Sequence, residues 1–379
     1  MVPNVQALGG EHHEAGRRRI LASSGAIALV VLLLVWAGET AGAATSRGAA
    51  PTLRAASGAR ASSAPAASAW TPITSGPTLA GSGWFLQVSS LAPDYPVSTV
   101  VGWIGAACAL PPAQRPALVL QDVVGPDGQL AVPYLDALAP YLPGGRLHCI
   151  SRVYVGTEQP QWTGAGSPYW EGIECSLYRY SYVSETESIA AAFAARYPYL
   201  QFDWYIPYEA NLNYLFYPQI ESGYASLLRG EEAALNGVRA GRAFLWSPAF
   251  WYPWSSYSGN AAGMAGLTQN LSGLFAALAA TGHPFEIDLQ DFVAGSSCQP
   301  PSNRMTPSDA VGWIRYLAAV PRAPRVEMNV EQYQIADCAT GGLVPGDFSE
   351  LAARRATYLA AGVSLGPSFE IRYAEAGGP

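Results

Sequence analysis

Two glutamates stand at the ends of apolar runs of strand length. One closes Phe202-Asp203-Trp204-Tyr205-Ile206-Pro207-Tyr208 as Glu209, and the other closes Arg325-Val326-Glu327-Met328-Asn329-Val330 as Glu331. A carboxylate at the end of a buried strand costs stability unless it faces solvent or a partner, which invites a chemical reading. Held about 5 Å apart across one substrate bond, such a pair could serve as general acid/base and nucleophile of a retaining glycosidase. The period of two along a strand sets Glu327, Asn329 and Glu331 on one face, where they would line a shared interior. The plainer alternative is that the glutamates cap loops or pair with arginines such as Arg152 or Arg372.

A third polar cluster is Asp288-Leu289-Gln290-Asp291, with Asp288 and Gln290 on one strand face and Asp291 opening the next loop. An amide between two acids suits hydrogen bonds to sugar hydroxyls, or else forms a polar layer that satisfies only itself. Gln121-Asp122 ends another apolar run in the same way, and Glu158 follows a further one; both are weaker candidates. Loop segments rich in Gly, Pro and Ser carry Trp162, Tyr169 and Trp170, then Trp251, Tyr252, Trp254 and Tyr257. Flat rings beside carboxylates and amides match the C–H faces and hydroxyls of a carbohydrate; alternatively they pack the loops onto the scaffold.

The elements that must position these residues alternate. Apolar runs predict strands at Trp84–Val88, Ala117–Gln121, Leu147–Val155, Leu200–Ile206, Ala243–Ser247, Phe285–Gln290, Val326–Val330 and Val363–Leu365. Between most of them lie helical patterns at Ser98–Leu110, Tyr134–Leu142, Thr186–Arg196, Ala261–Ala280, Pro307–Ala319 and Phe348–Ala361. Ser184 with Glu187 reads as a capping box, Thr306-Pro307 as a helix start, and Gly282 and Gly362 as C-terminal glycines. Asn213–Ala240 is helical in character, with breaks expected at Pro218, Gly223 and Gly230. Eight such units specify an α/β fold, a single (β/α)8 TIM barrel over residues 83–379, with chemistry at the C-terminal ends of the strands. Only six residues follow Tyr373, so a regular eighth helix is not expected. A doubly wound dinucleotide-binding sheet loses its main signature, because no G-x-G-x-x-G turn follows an early strand.

The 379-residue chain carries 21 basic residues, all arginine, against 28 acids, and a net charge of −7 offers nothing to a nucleic acid backbone. Arg17-Arg18-Arg19 precede the uncharged run Ile20–Trp36, and Ala41-Gly42-Ala43 fits a cleavage pattern, so residues 1–43 read as an export signal or a membrane anchor. Both readings set the body outside the cytoplasm, either secreted or held by that N-terminal segment. Residues 44–82, rich in Ala, Ser, Gly and Pro, read as a disordered spacer. His148 and His283 alone remain in the body, so no metal or other cofactor is expected, with calcium on acidic top loops left open. Among Cys108, Cys149, Cys175, Cys298 and Cys338, a disulfide between Cys298 and Cys338 is favoured because both follow neighbouring strands; Cys149 reads as a small buried hydrophobe.

The strings Trp204-Tyr205-Ile206-Pro207-Tyr208-Glu209, Ser247-Pro248-Ala249-Phe250, Gln290-Asp291 and Asn329-Val330-Glu331-Gln332-Tyr333 resemble those of an uncharacterised bacterial family of glycoside-hydrolase-like TIM barrels, over residues 83–374. More distantly the chain is similar to the retaining glycosidases that carry glutamates after strands four and seven. The resemblance implies a carbohydrate ligand, with Glu209 as acid/base and Glu331 as nucleophile. Together with the strand-end and loop residues read above, it gives a substrate-binding set of Tyr208, Trp204, Asp288, Gln290, Asp291, Asn329, Gln121, Trp251, Trp170 and Tyr333. One departure is Tyr208, which stands where those glycosidases commonly have an asparagine before the acid/base. A barrel that keeps the cleft without turnover, serving as a carbohydrate-binding module at the cell surface, is the alternative.

Overall fold

The computed structural model describes residues 83–92, 94–157, 175–338 and 342–375, all within the unit Thr71–Pro379. The expected export segment, the spacer, and Glu158, Trp162, Tyr169 and Trp170 lie outside these residues. Seven parallel strands run in sequence order: β1 Gly83–Gln87, β2 Ala117–Asp122, β3 Arg152–Val155, β4 Asp203–Ile206, β5 Phe244–Trp246, β6 Phe285–Gln290 and β7 Arg325–Asn329. Residues 364–368 take the eighth position. Met328 donates its N–H to the Ser364 carbonyl at 2.9 Å, and Ser368 and Gly83 of β1 are joined by an N–H to carbonyl bond of 3.0 Å. Bridges Met328 to Leu365 and Trp84 to Ser368, both parallel, close the TIM barrel.

Helices Val97–Ala106, Val132–Leu138, Cys175–Arg196, Pro218–Val238, Ala261–Ala279, Pro307–Ala319 and Phe348–Ala360 follow the seven strands. After the eighth position comes the short helix Ile371–Glu375. Thr306 caps its helix as expected, in a reciprocal box with Asp309, and Gly282 and Gly362 hold φ of 78° and 74° after their helices.

Two local expectations are corrected. The third helix begins at Cys175, so Ser184 and Glu187 lie in its interior; the added turns bring buried Tyr182 against Tyr208, and that packing outweighs the local cap. Pro218–Val238 is one unbroken helix. Pro218 sits at its first position, where no N–H is needed, and burial of Tyr224, Leu227, Leu228 and Leu235 offsets the ~1 kcal/mol that each of Gly223 and Gly230 costs.

Strand parity divides the core. Trp84, Leu118, Val153, Trp204, Trp246, Ile287 and Met328 face outward into the layer shared with the helices. Phe85, Val119, Tyr154, Tyr205 and Leu245 form a separate interior cluster joined by Phe369, which fills the barrel as side-chain layers do in this fold. Below it Arg152 bonds Asp203 and Glu286, at 2.7 and 2.9 Å, so the base of the barrel is sealed by ion pairs.

A hairpin, β8 Tyr333–Asp337 and β9 Gly342–Pro345, follows β7 and was not foreseen. The expected Cys298–Cys338 disulfide is present, with Cα atoms 5.3 Å apart, and ties this hairpin to the turn Gly295–Cys298 after β6. A second bridge joins Cys108 and Cys149. The reading of Cys149 as a lone hydrophobe is thereby corrected: the loop before β3 passes the end of the first helical segment, a long-range approach with no local signature.

Candidate active site

The same parity that fills the barrel carries Gln87, Gln121, Glu209, Gln290 and Glu331 to its C-terminal mouth. There they line a cleft of about 210 Å³ together with Ala249, Trp251, Phe292, Tyr333, Leu343 and Phe369.

Glu209 is half-buried. Its Oε1 accepts a hydrogen bond from Gln121 Nε2 at 2.9 Å and from the Tyr205 hydroxyl at 3.3 Å, and the Gln290 amide also faces it. Burial pushes its carboxyl up to about 7, against the opposing pull of those donors.

Glu331 is 2% exposed, and both its oxygens are held: Gly295 donates its backbone N–H to Oε2 at 2.9 Å, and the Tyr333 hydroxyl donates to Oε1 at 2.9 Å. A Cβ on residue 295 would lie 3.2 Å from Glu331 Oε1 and 2.7 Å from the Phe292 ring, so glycine is what permits this approach. Burial raises the Glu331 carboxyl, the negative charge of Asp291 adds to the rise, and the Gly295 and Tyr333 donors and the Arg354 charge oppose it.

The backbone of Glu331 is gripped from behind. Arg354 donates to the Glu331 carbonyl at 2.6 Å and pairs with Asp291 at 3.2 Å, while Asp291 also accepts from the Tyr358 hydroxyl at 2.8 Å and from the Glu331 N–H at 3.3 Å. Among the described residues neither site glutamate has its carboxylate in a salt bridge: Arg152 serves Asp203 and Glu286, and Arg372 serves Glu370. That arrangement disfavours the purely structural ion-pair reading.

Of the expected substrate-binding residues, Gln121, Gln290, Trp251 and Tyr333 reach the cleft. Trp251 stacks on Phe292 with ring centroids 5.5 Å apart and planes 7° from parallel, forming a flat wall. Phe292 holds φ of 51°, a left-handed conformation that costs a bulky residue about 1–3 kcal/mol and recurs at functional sites.

Five others do not reach the cleft, and the reading is corrected for each. Trp204 and Tyr208 lie on the outward parity of β4; Trp204 packs on Phe202 and Tyr208 on Tyr182 and Tyr224. Asp291 is sealed behind Glu331 as described. Asn329 is spent on the scaffold, donating to Ser247 Oγ at 3.1 Å and accepting the Phe369 N–H at 2.9 Å. Asp288 is wholly buried below the mouth, and burial, with Glu327 and Glu286 nearby, raises its carboxyl well above the usual range. Trp170 is outside the described residues.

Among the loop aromatics, Trp254 and Tyr257 pack on Trp313, the plainer of their two readings. Sequence reasoning missed Gln87, Tyr205, Phe292, Leu343 and Phe369. Gln87 ends β1 as Gln121 nearly ends β2, and Tyr205 shares the parity of Glu209, so both were within reach of rules already applied; Leu343 and Phe369 come from the hairpin and the closing segment, which carry no such signal. Among the described residues, no group of three or more His, Cys, Asp or Glu is placed to hold a metal ion.

No family model matches the chain, and no curated protein matches it. Solved structures that resemble it include glycoside hydrolases. A Bacteroides thetaiotaomicron protein described as an alpha-L-fucosidase is 12% identical, covering 77% of this chain and 87% of that one, with a TM-score of 0.49. A family 5 glycoside hydrolase from Prevotella bryantii B14 is 10% identical over 75% of this chain and 96% of its own, with a TM-score of 0.38. An intracellular xylanase from Thermoanaerobacterium saccharolyticum is 12% identical over 76% and 84%, with a TM-score of 0.36.

Proposed function

We propose that the protein is a retaining glycoside hydrolase acting on a polysaccharide or glycoconjugate outside the cytoplasm. The observation that carries this reading is the meeting of Glu209 and Glu331, delivered by β4 and β7, in one cleft with amide donors and an aromatic wall. With both carboxyls raised by burial, the pair holds a proton near neutral pH, and a retaining pair needs one acid and one carboxylate. The donors divide the roles. Glu331 receives a donor on each oxygen, which fixes it in place as a nucleophile, whereas the Gln121 and Tyr205 donors both reach Oε1 of Glu209. Because burial and the Asp291 charge raise the free Glu331 carboxyl further than that of Glu209, the bound sugar has to settle the shared proton on Glu209 before reaction.

In the first step Glu209 gives its proton to the leaving glycosidic oxygen while a Glu331 oxygen bonds the anomeric carbon. In the second, Glu209 as a carboxylate takes a proton from water, which displaces Glu331 from the sugar. Gln87, Gln121 and Gln290 would bond hydroxyls, and the Trp251 and Phe292 wall would take a C–H face of the ring. The two disulfides agree with an extracytoplasmic location, whether the chain is released or stays anchored by its N-terminal segment.

A silent carbohydrate-binding barrel is the second reading. What favours it is Tyr208, whose buried ring leaves no amide directly before Glu209. Release of reducing sugar from a panel of bacterial and plant polysaccharides by the full chain, alongside Glu209→Gln and Glu331→Gln, separates the two. Activity lost in both variants at unchanged melting temperature below pH 5 supports hydrolysis; glycan affinity without release supports the binding module.

A further inference from the structure

The Cys298–Cys338 disulfide lies outside the cleft, yet each of its ends belongs to a segment that holds one oxygen of Glu331. Cys298 ends the turn Gly295–Cys298, whose first residue donates to Oε2. Cys338 directly follows β8, whose first residue, Tyr333, donates to Oε1. The turn hangs from the end of β6 and the hairpin from the end of β7, and among the described residues β8 pairs only with β9. The base of the hairpin is tied to the closing segment by the Gln332 N–H to Phe369 carbonyl bond and by the packing of Tyr333 on Phe369 and Tyr373, while its far end is held to the barrel through Cys338.

We propose that the Cys298–Cys338 disulfide is a positioning device for Glu331: it staples together the two segments that grip the carboxylate and so keeps both donors on it at once. The inference rests on the reading of Glu331 as nucleophile only for its catalytic consequence; the geometry it asserts concerns the carboxylate itself.

The groups facing Glu331 come from every element around it. Asp291 after β6 raises its carboxyl, and Arg354 from helix Phe348–Ala360 lowers it, with Tyr358 of that helix bonded to Asp291. Tyr333 lowers it from the hairpin, and Glu209, across the cleft, acts on the Tyr333 hydroxyl. Opening the staple removes none of these charges. It loosens the Gly295 and Tyr333 donors, both of which favour the ionised carboxylate, so Glu331 should protonate more readily. A disulfide that only stiffened the fold would lower the melting temperature and leave that titration in place.

The test is a carbon-13 NMR titration of glutamate side-chain carboxyls in the full-length protein, with the Glu331 resonance assigned by its loss in Glu331→Gln. It is run on wild type, on Cys298→Ala/Cys338→Ala, on Tyr333→Phe and on the triple variant. The staple variant should shift the Glu331 midpoint upward by on the order of one pH unit. Tyr333→Phe should shift it upward too, and by less when the staple is already gone, since the two changes act on one contact. If the double alanine variant does not fold, the same titration on native protein reduced with dithiothreitol and alkylated takes its place, with Cys108→Ala/Cys149→Ala as the control for the second bridge that the reductant also opens. An unchanged midpoint in folded protein, or shifts that simply add, would overturn the staple. Neither result would touch the assignment of Glu331 as nucleophile, which stands or falls on the turnover of Glu331→Gln.

Discussion

Replacing Glu331 by glutamine should abolish turnover and, at the same time, make the protein harder to unfold at alkaline pH. The native carboxyl is raised from an ordinary value of 4.5 to about 8, chiefly by burial, so the folded state keeps this proton to a higher pH than the unfolded chain does. Its contribution is therefore fully present near pH 4 and is lost as pH rises toward 8. At about 1.4 kcal/mol per unit, that displacement sets a ceiling of about 5 kcal/mol, and relaxation around the charged group should leave roughly 2–3 kcal/mol. Glutamine keeps the size and has nothing to ionise; its one oxygen can accept from the Gly295 N–H, while its NH2 can donate to the Tyr333 hydroxyl oxygen once that hydroxyl turns. Urea denaturation at pH 5 and pH 8 reads the effect directly: the variant should match wild type at pH 5 and exceed it at pH 8. A variant that is equally or less stable than wild type at pH 8 would refute the argument that Glu331 is held at an energetic cost for the sake of chemistry.

Glu231, wholly buried in helix Pro218–Val238 and also pushed up to about 8, lies outside the cleft. Glu231→Gln should give a similar alkaline stabilisation in urea melts while activity is unchanged. Arg354→Met leaves Asp291 buried without its cation and should cost about 3–5 kcal/mol in the same assay at pH 7. Trp251→Ala removes one ring of the stacked wall and should raise KM about tenfold with a smaller change in kcat, read by steady-state kinetics on the substrate the panel identifies.

Much of the barrel was legible because its strands are short apolar runs bounded by turn residues, and β6 and helix Pro307–Ala319 begin and end where the pattern says. Glu209 and Glu331 were found by position alone, as acids at strand ends. Two of the errors around them, Trp204 and Tyr208, share a cause: the resemblance drew in a contiguous string, whereas a strand sends alternate residues to opposite faces. Parity applied to β4 places Tyr205 with Glu209 and sends Trp204 and Tyr208 to the helices. Asp291 and Asn329 have the right location but are consumed by long-range partners, Arg354 in one case and Ser247 with Phe369 in the other, and nothing in a local string reveals such a commitment. The hairpin eluded detection for a similar reason, since its strands contain Gln334, Asp337 and Pro345 and expose most of their residues.

The central claim is that Glu331 bonds the sugar while Glu209 manages the proton. Glu209→Gln, given an aryl glycoside whose leaving group needs no acid, should still form the glycosyl bond to Glu331 but lack the base that activates water for its release. Mass spectrometry of the digested variant should then find one sugar residue attached at Glu331. A sugar on any other residue, or free turnover of the glycoside without an adduct and at the wild-type rate, would contradict the account.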